Sequence, residues 1–414
     1  MADGRVTRTA EAPGRATAPG ALRPWWVAPV AIFAASRVVS TLLLVWVRSQ
    51  ATVRSRAGAH PSLLDLATAW DGQWYWTIAD RGYPSVLPLT ASGAVDTNQW
   101  AFLPVYPWVA KALTLGVLDW RIAAVALSVA SGFAAAVLLL VLLAPRIGRS
   151  AALFAVSLFS CSPLAFLLQT AYAESLGLAL LLGALVLIDR GRYLTALPVA
   201  LLLAFTRPGI LALALAVGLQ VVLLVVAAVR AHRAVPWAEA VRGGVLAVVS
   251  AGAGFAWAGI AALGTGRPDA YFATEGAWRA LWMPEGSITF FQPWFFAAEY
   301  WTRLAWGDAT ARWAGPLVVL LLVAAFAALL LSRPARRLGP TVRLWGASYA
   351  LYLLAAFFPQ SSVFRLLMPM APLAGAVAPR RTASRAAVLA VSIALQALWL
   401  WVVLGPVQDY WTVP

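Results

Sequence analysis

Charge, cysteine, histidine and lysine are all scarce in this chain, and each scarcity removes a class of chemistry. Cys161 is the one cysteine, so no internal disulfide can form and the redox state of the compartment leaves no trace. His60 and His232 are the only histidines and fall in different loops, which leaves Cys/His metal sites and Ser-His-Asp triads without members. Lys111 is the only lysine, and no G-x-x-x-x-G-K-[ST] stretch exists, which removes the P-loop. Only 11% of the 414 residues are charged, where soluble domains carry roughly 25%.

What is abundant is apolar. The chain is 62% hydrophobic with a mean hydropathy of +0.79, and apolar runs near the roughly 18 residues that cross a bilayer recur throughout. The reading is an all-α polytopic membrane protein with the lipid bilayer as its surroundings. About eleven spans are expected, near 25–47, 121–145, 150–168, 174–188, 193–206, 208–229, 243–264, 313–331, 341–358, 364–378 and 386–405. They form one transmembrane domain over 25–405, between a basic cytoplasmic tail (1–24) and a short outer tail (406–414).

A net charge of +15 would suggest nucleic acid in a soluble protein. Its distribution removes that inference. Met1–Pro24 carries Arg5, Arg8, Arg15 and Arg23 without the apolar core of a signal peptide, so the first span reads as a signal anchor with its N-terminus inside. On this topology the inner segments hold 18 arginines against 4 acidic residues, and the rest of the chain is close to neutral. The charge is positive-inside bias, and no nucleic-acid partner is expected.

Two outer segments, 48–120 and 265–312, are too long to be turns. In the first, FLPVYPWVAKALTLGVL (Phe102–Leu118) is apolar but interrupted by Pro104 and Pro107. Were it to span, every later arginine cluster would change sides, so it is expected to lie in the interface. In the second, Trp278, Trp282, Trp294, Trp301 and Trp306 alternate with charged residues including Glu275 and Glu285, as at headgroup level.

WDGQWYWTIADRGYP, Trp70 to Pro84, stands out in the first segment. If Gly72–Asp80 is helical, Trp70, Trp74 and Ile78 share a face turned to lipid headgroups, and Asp71 lies at the N-terminal end. Asp71 is then either an N-cap or a functional carboxylate. Asp80 and Arg81 read as a solvated pair worth little. Further charges fall at expected outer ends of spans: Glu174 in QTAYAES, Arg207 in FTRPG and Arg365 in SSVFR. A charge in hydrocarbon costs roughly 2.5–3.5 kcal/mol unless paired or facing a cavity. These residues are expected to share an outer cavity, the alternatives being that the arginines snorkel and Glu174 caps a helix starting at Ser175. Arg37, inside the first span, is open in the same way.

A carboxylate can act as general base on a hydroxyl, and an arginine can hold a phosphate leaving group. That pairing suits glycosyl transfer from a lipid-phosphate sugar. The quoted stretch resembles the W-D-x-x-W-Y-x-x-I-A-x-x-G-Y signature of PIG-V-type mannosyltransferases, relatives of the second mannosyltransferase of GPI-anchor synthesis, in the GT-C class of integral membrane glycosyltransferases. Trp70, Asp71, Trp74, Tyr75, Ile78, Ala79, Gly82 and Tyr83 match. FLPVYPWV resembles the family's F-x-P-x-Y-P, AYAESL its Y-x-E-S and TRPGI its T-R-P. Near the C-terminus, Phe364, Arg365 and Leu366 precede Pro369 and Pro372, where the family has an Arg-Tyr pair.

The resemblance implies a GT-C-like fold and polyprenyl-phosphate mannose as donor. It further implies Asp71 as catalytic residue in the first outer loop, inversion of a β-linked donor to an α-mannoside, and no obligatory metal or cofactor. Trp70, Trp74, Tyr75, Glu174, Arg207 and Arg365 are the expected substrate-binding residues. The acceptor would be a hydroxyl of a lipid, glycan or protein on the extracytoplasmic face of the cell membrane. The alternatives are a GT-C transferase of another sugar, or a transporter or flippase of lipid-linked sugars; the absence of matching halves counts against the last.

Overall fold

The computed structural model describes residues 24–281 and 289–406. The arginines of the N-terminal tail, Trp282 and Glu285 of the second outer segment and residues 407–414 lie outside them. The fold is about 75% helical with no strands among the described residues. Among the described residues six helices are long and apolar enough to cross a membrane: Val27–Ser49, Trp120–Ile147, Ile210–Arg230, Trp237–Thr265, Thr310–Leu331 and Thr382–Leu404. Their outward faces stay apolar, as Leu42, Leu223, Val248 and Leu320 show, and only lipid can cover such faces at no penalty. The chain is a multi-pass membrane protein.

Of the other five expected spans, 174–188, 193–206 and 341–358 coincide with helices to within two residues, whereas 150–168 is broken after Ser160 and 364–378 is four α-helical residues followed by a 3₁₀ segment. Arg149–Ser160 has 12 residues, Glu174–Asp189 16, Tyr193–Ala204 12 and Pro340–Ala356 17, and Met368–Val377 is a 3₁₀ segment. At about 1.5 Å per residue the α-helices reach roughly 18–26 Å, short of the ~30 Å of hydrocarbon. Proline accounts for two of the interruptions, Pro163 after Ser160 and the Pro369/Pro372 pair, because it removes a donor and clashes with the preceding turn.

Arg37 explains how the first break is tolerated. Its guanidinium, buried inside the bundle, donates to the carbonyls of Ser160 at 2.8 Å and Ala165 at 2.5 Å. Those carbonyls flank the break, where irregular backbone at membrane depth must find partners within the protein. Arg37 is a backbone clamp between the first span and the break. The first span is also tied to the last, with Gln396 donating to Ser40 at 3.0 Å.

Glu174–Asp189 packs at the centre of one continuous apolar core that runs from Phe33 to Leu404. Because this helix is short, its N-terminus ends inside the bundle. The segment expected to lie in the interface holds a short helix, Val105–Leu113, nine residues, with Tyr106 and Ala110 buried and Trp108 and Leu113 exposed. Lys111 at its end donates 2.5 Å to the carbonyl of Ala79, satisfying an acceptor in the last turn of the helix before it.

Candidate active site

That preceding helix is Asp71–Arg81. Its N-cap is Trp70, at φ 58° and ψ −119°, and no side chain caps it. The capping reading of Asp71 is thereby corrected. The orphan amide of Asp71 donates instead to the Tyr172 hydroxyl at 3.3 Å, and that hydroxyl donates to the carbonyl of Ala69, also at 3.3 Å. A tryptophan at positive φ is strained by about 1–3 kcal/mol. The conformation is held by the Arg56 guanidinium 4.3 Å over the Trp70 ring and by the indole donating to the Val403 carbonyl at 3.3 Å.

Freed from capping, the Asp71 carboxylate accepts from Arg365 at 2.5 Å. Arg365 Nε also lies 3.3 Å from Oε1 of Glu174, near enough for charge attraction but without hydrogen-bond geometry. Arg207 donates to that same Glu174 oxygen at 2.7 Å. The order Asp71, Arg365, Glu174, Arg207 therefore alternates in sign through four residues that are hundreds of positions apart at the extremes. Glu174 is the deepest, at 3% exposure, and its other oxygen has no partner.

Glu174 begins its helix, with Ala173 as N-cap and no capping bond; its role as cap of a helix starting at Ser175 is corrected. The arginines do not snorkel, since both turn inward to carboxylates. The Arg207 stem rests on Gly177, where an added Cβ would sit 2.7 Å from Arg207 Cγ. Arg365 is placed by the helix Pro340–Ala356: Trp345 donates to the Pro369 carbonyl at 2.8 Å and Tyr349 to that of Leu366 at 2.9 Å. The Arg365 guanidinium also lies 5.6 Å from the Tyr172 ring centroid.

The aromatic residues of the motif are placed differently from expectation. Ile78 is 1% exposed, and Trp74 stacks on Phe102 at 5.7 Å and meets Trp278 edge-on at 5.3 Å. Trp74 and Ile78 thus turn into protein, Trp70 stands outside the helix, and Trp76 is the exposed ring. Tyr75 is buried among Phe102 and Tyr106. Burial pushes its phenol well up, with Arg207, Glu174, Asp71 and Arg365 all acting on it electrostatically. Asp80 and Arg81 are an exposed pair at 3.5 Å, as expected.

Glu174, Gly177, Arg207, Trp345, Tyr349 and Arg365 line a cavity of about 30 Å³, room for a water or two. Tyr172, Tyr349 and Trp345 were not singled out from sequence, although Tyr172 stands two residues before Glu174 in AYAES. A larger cavity, about 380 Å³, lies at the far end of the Glu174–Asp189 helix beside Asp189, Arg146 and Arg190. Size does not favour it as the reaction centre, because the alternating carboxylates and arginines are some 22 Å away along the helix. Among the described residues no three His, Cys, Asp or Glu side chains converge as a metal site.

Gly177→Val tests the seat of Arg207. The added methyls displace a flexible stem rather than backbone, so the protein stays folded while the guanidinium leaves Glu174. Denaturant unfolding of the purified variant is expected to show a loss of about 1.5–3 kcal/mol, the scale of one charge-assisted hydrogen bond. Unchanged stability would show that this placement is immaterial.

No protein-family model matches the chain, and no curated protein matches it.

Proposed function

We propose that this protein is a membrane-embedded glycosyltransferase of GT-C-like architecture that moves mannose from a polyprenyl-phosphate donor to a hydroxyl acceptor on the extracytoplasmic face of the cell membrane. The carrying observation is the Asp71–Arg365–Glu174–Arg207 chain, half-buried and deepest at Glu174. The motif resemblance supplies the sugar and the lipid carrier. Five short or broken helices beside six long ones are compatible with eleven membrane segments.

In this mechanism the donor phosphate enters between Arg365 and Arg207 and competes with the carboxylates for their donors, two of which can be presented in parallel by each guanidinium. Arg365 then releases Asp71. The freed carboxylate takes the proton of the acceptor hydroxyl as its oxygen attacks the anomeric carbon. The bond from that carbon to the phosphate oxygen breaks, and polyprenyl phosphate leaves with its charge held by the arginines. Attack opposite the leaving group turns a β-linked donor into an α-product. Glu174 holds both guanidiniums in register. The Trp74, Phe102 and Trp278 rings stand beside the motif helix as an apolar wall suited to the sugar or its lipid.

Donor identity is tested by offering membranes containing the protein polyprenyl-phosphate mannose, glucose or arabinose, each with labelled sugar. The expected result is incorporation from the mannosyl donor above the others. Preference for another sugar would retain the reaction class and overturn the mannose assignment; transport of intact donor into vesicles without transfer would replace the enzyme with a flippase.

A further inference from the structure

The 380 Å³ cavity plays no part in this mechanism, and its chemistry is of another kind. Its floor is aliphatic, with Val141, Leu142 and Val186, and its rim carries Arg146, Asp189 and Arg190. Val141 lies five residues below Arg146 in the Trp120–Ile147 span, so the apolar floor is about 7.5 Å deeper along the helix than the charged rim. Arg146 donates one Nη2 bond to Asp189 at 2.9 Å. That uses one of five guanidinium donors. Arg190 has no ion-pair partner among the described residues. The nearest other carboxylate at this end, Glu239, faces Gly191 and Tyr193.

We infer that this cavity binds an anionic phospholipid, its phosphate between Arg146 and Arg190 and its glycerol and first acyl carbons on Val141, Leu142 and Val186. A net positive rim calls for an anion, and an aliphatic floor at the end of a bilayer-crossing helix calls for one that carries hydrocarbon. The volume falls within the roughly 300–1,000 Å³ of small-molecule sites and far exceeds what a water or simple ion fills. On the proposed orientation the site opens to the cytoplasmic leaflet, where anionic lipids are recognised by basic pockets between helices. It is independent of the Asp71 chemistry, so its failure would leave the transferase reading intact.

The test uses the full chain in detergent, delipidated and then titrated with phosphatidylglycerol, phosphatidylcholine or inorganic phosphate. Bound lipid is counted by native mass spectrometry and thermal stability is followed in parallel. Phosphatidylglycerol is expected to be retained selectively by wild type and by Asp71→Asn. Arg190→Gln is expected to lower its apparent affinity about tenfold, the scale of one charge-assisted contact. Asp189→Asn removes the competing carboxylate and is expected to raise retention, a gain that a misfolded variant cannot imitate. Equal retention of phosphatidylcholine, or unchanged affinity in both variants, would overturn the inference. Stabilisation by inorganic phosphate equal to that by lipid would overturn the lipid assignment in favour of a soluble phosphate compound.

Discussion

Asp71→Asn is expected to yield a folded, membrane-inserted protein whose transfer rate is lower by about 10²- to 10⁴-fold, the usual contribution of a general base. The amide is isosteric and can still accept from Arg365 at the 2.5 Å contact, so geometry is conserved while basicity is lost. The helix start should also survive, because the Asp71 backbone amide and not its carboxylate is tied to Tyr172. The rate is measured by single turnover with donor in excess, and folding by size-exclusion profile and melting temperature. A variant with wild-type stability and most of its activity would remove Asp71 from the mechanism.

Glu174→Gln is expected to have the largest effect on stability. One oxygen of Glu174 serves both Arg207 and Arg365, whose side chains are only 15% and 13% exposed. Neutralising it leaves two inward-facing cations with Asp71 as the remaining anion. Removing one partner of a buried pair costs about 3–5 kcal/mol; residual hydration of the cavity and the hydrogen bond a glutamine still accepts place this case near the lower end, at about 3 kcal/mol. Denaturant unfolding in a fixed detergent reads it directly. Arg207→Met introduced with Glu174→Leu should recover part of the loss, since a burial of matched apolar groups replaces the broken pair. A change under about 1 kcal/mol for the single variant would mean that water screens this cluster as it does surface pairs.

The members of this cluster were legible because charge is so scarce. Glu174, Arg207 and Arg365 each stand at the expected outer end of an apolar run, where a charge is tolerated only with a partner or a cavity, and Asp71 stands in the Trp-rich motif of the first outer segment. Which of them pair was not legible, since the contacts join positions as far apart as 71 and 365. Tyr172 escaped notice because a tyrosine beside a span is equally at home in a membrane-interface belt, and Tyr349 because it lies inside an apolar run, where a tyrosine reads as core. Helical periodicity does not reach Trp70, which precedes the helix at positive φ, and it carries no information about what covers Trp74 and Ile78. Here Phe102 and Trp278 cover Trp74.

One span was read too long for a related reason. Apolar composition continues straight through residues 150–168; Pro163 marks where the helix can stop, and Arg37 supplies partners for the carbonyls of Ser160 and Ala165 at the break. The short helices matter for the site. The N-terminus of Glu174–Asp189 and the segment bearing Arg365 both end within the bundle, which is how charges come to face one another away from lipid.

The most direct test is transfer of labelled mannose from polyprenyl-phosphate mannose in membranes expressing wild type or Asp71→Asn, with endogenous lipids and polymers as the acceptor pool. The expected result is label in an extractable product with wild type alone, linked through an α-mannosidic bond and accompanied by release of polyprenyl phosphate. No transfer by a folded wild-type protein while a control transferase is active, or equal transfer by both proteins, would contradict the assignment of this half-buried carboxylate–arginine chain as a mannosyltransferase centre.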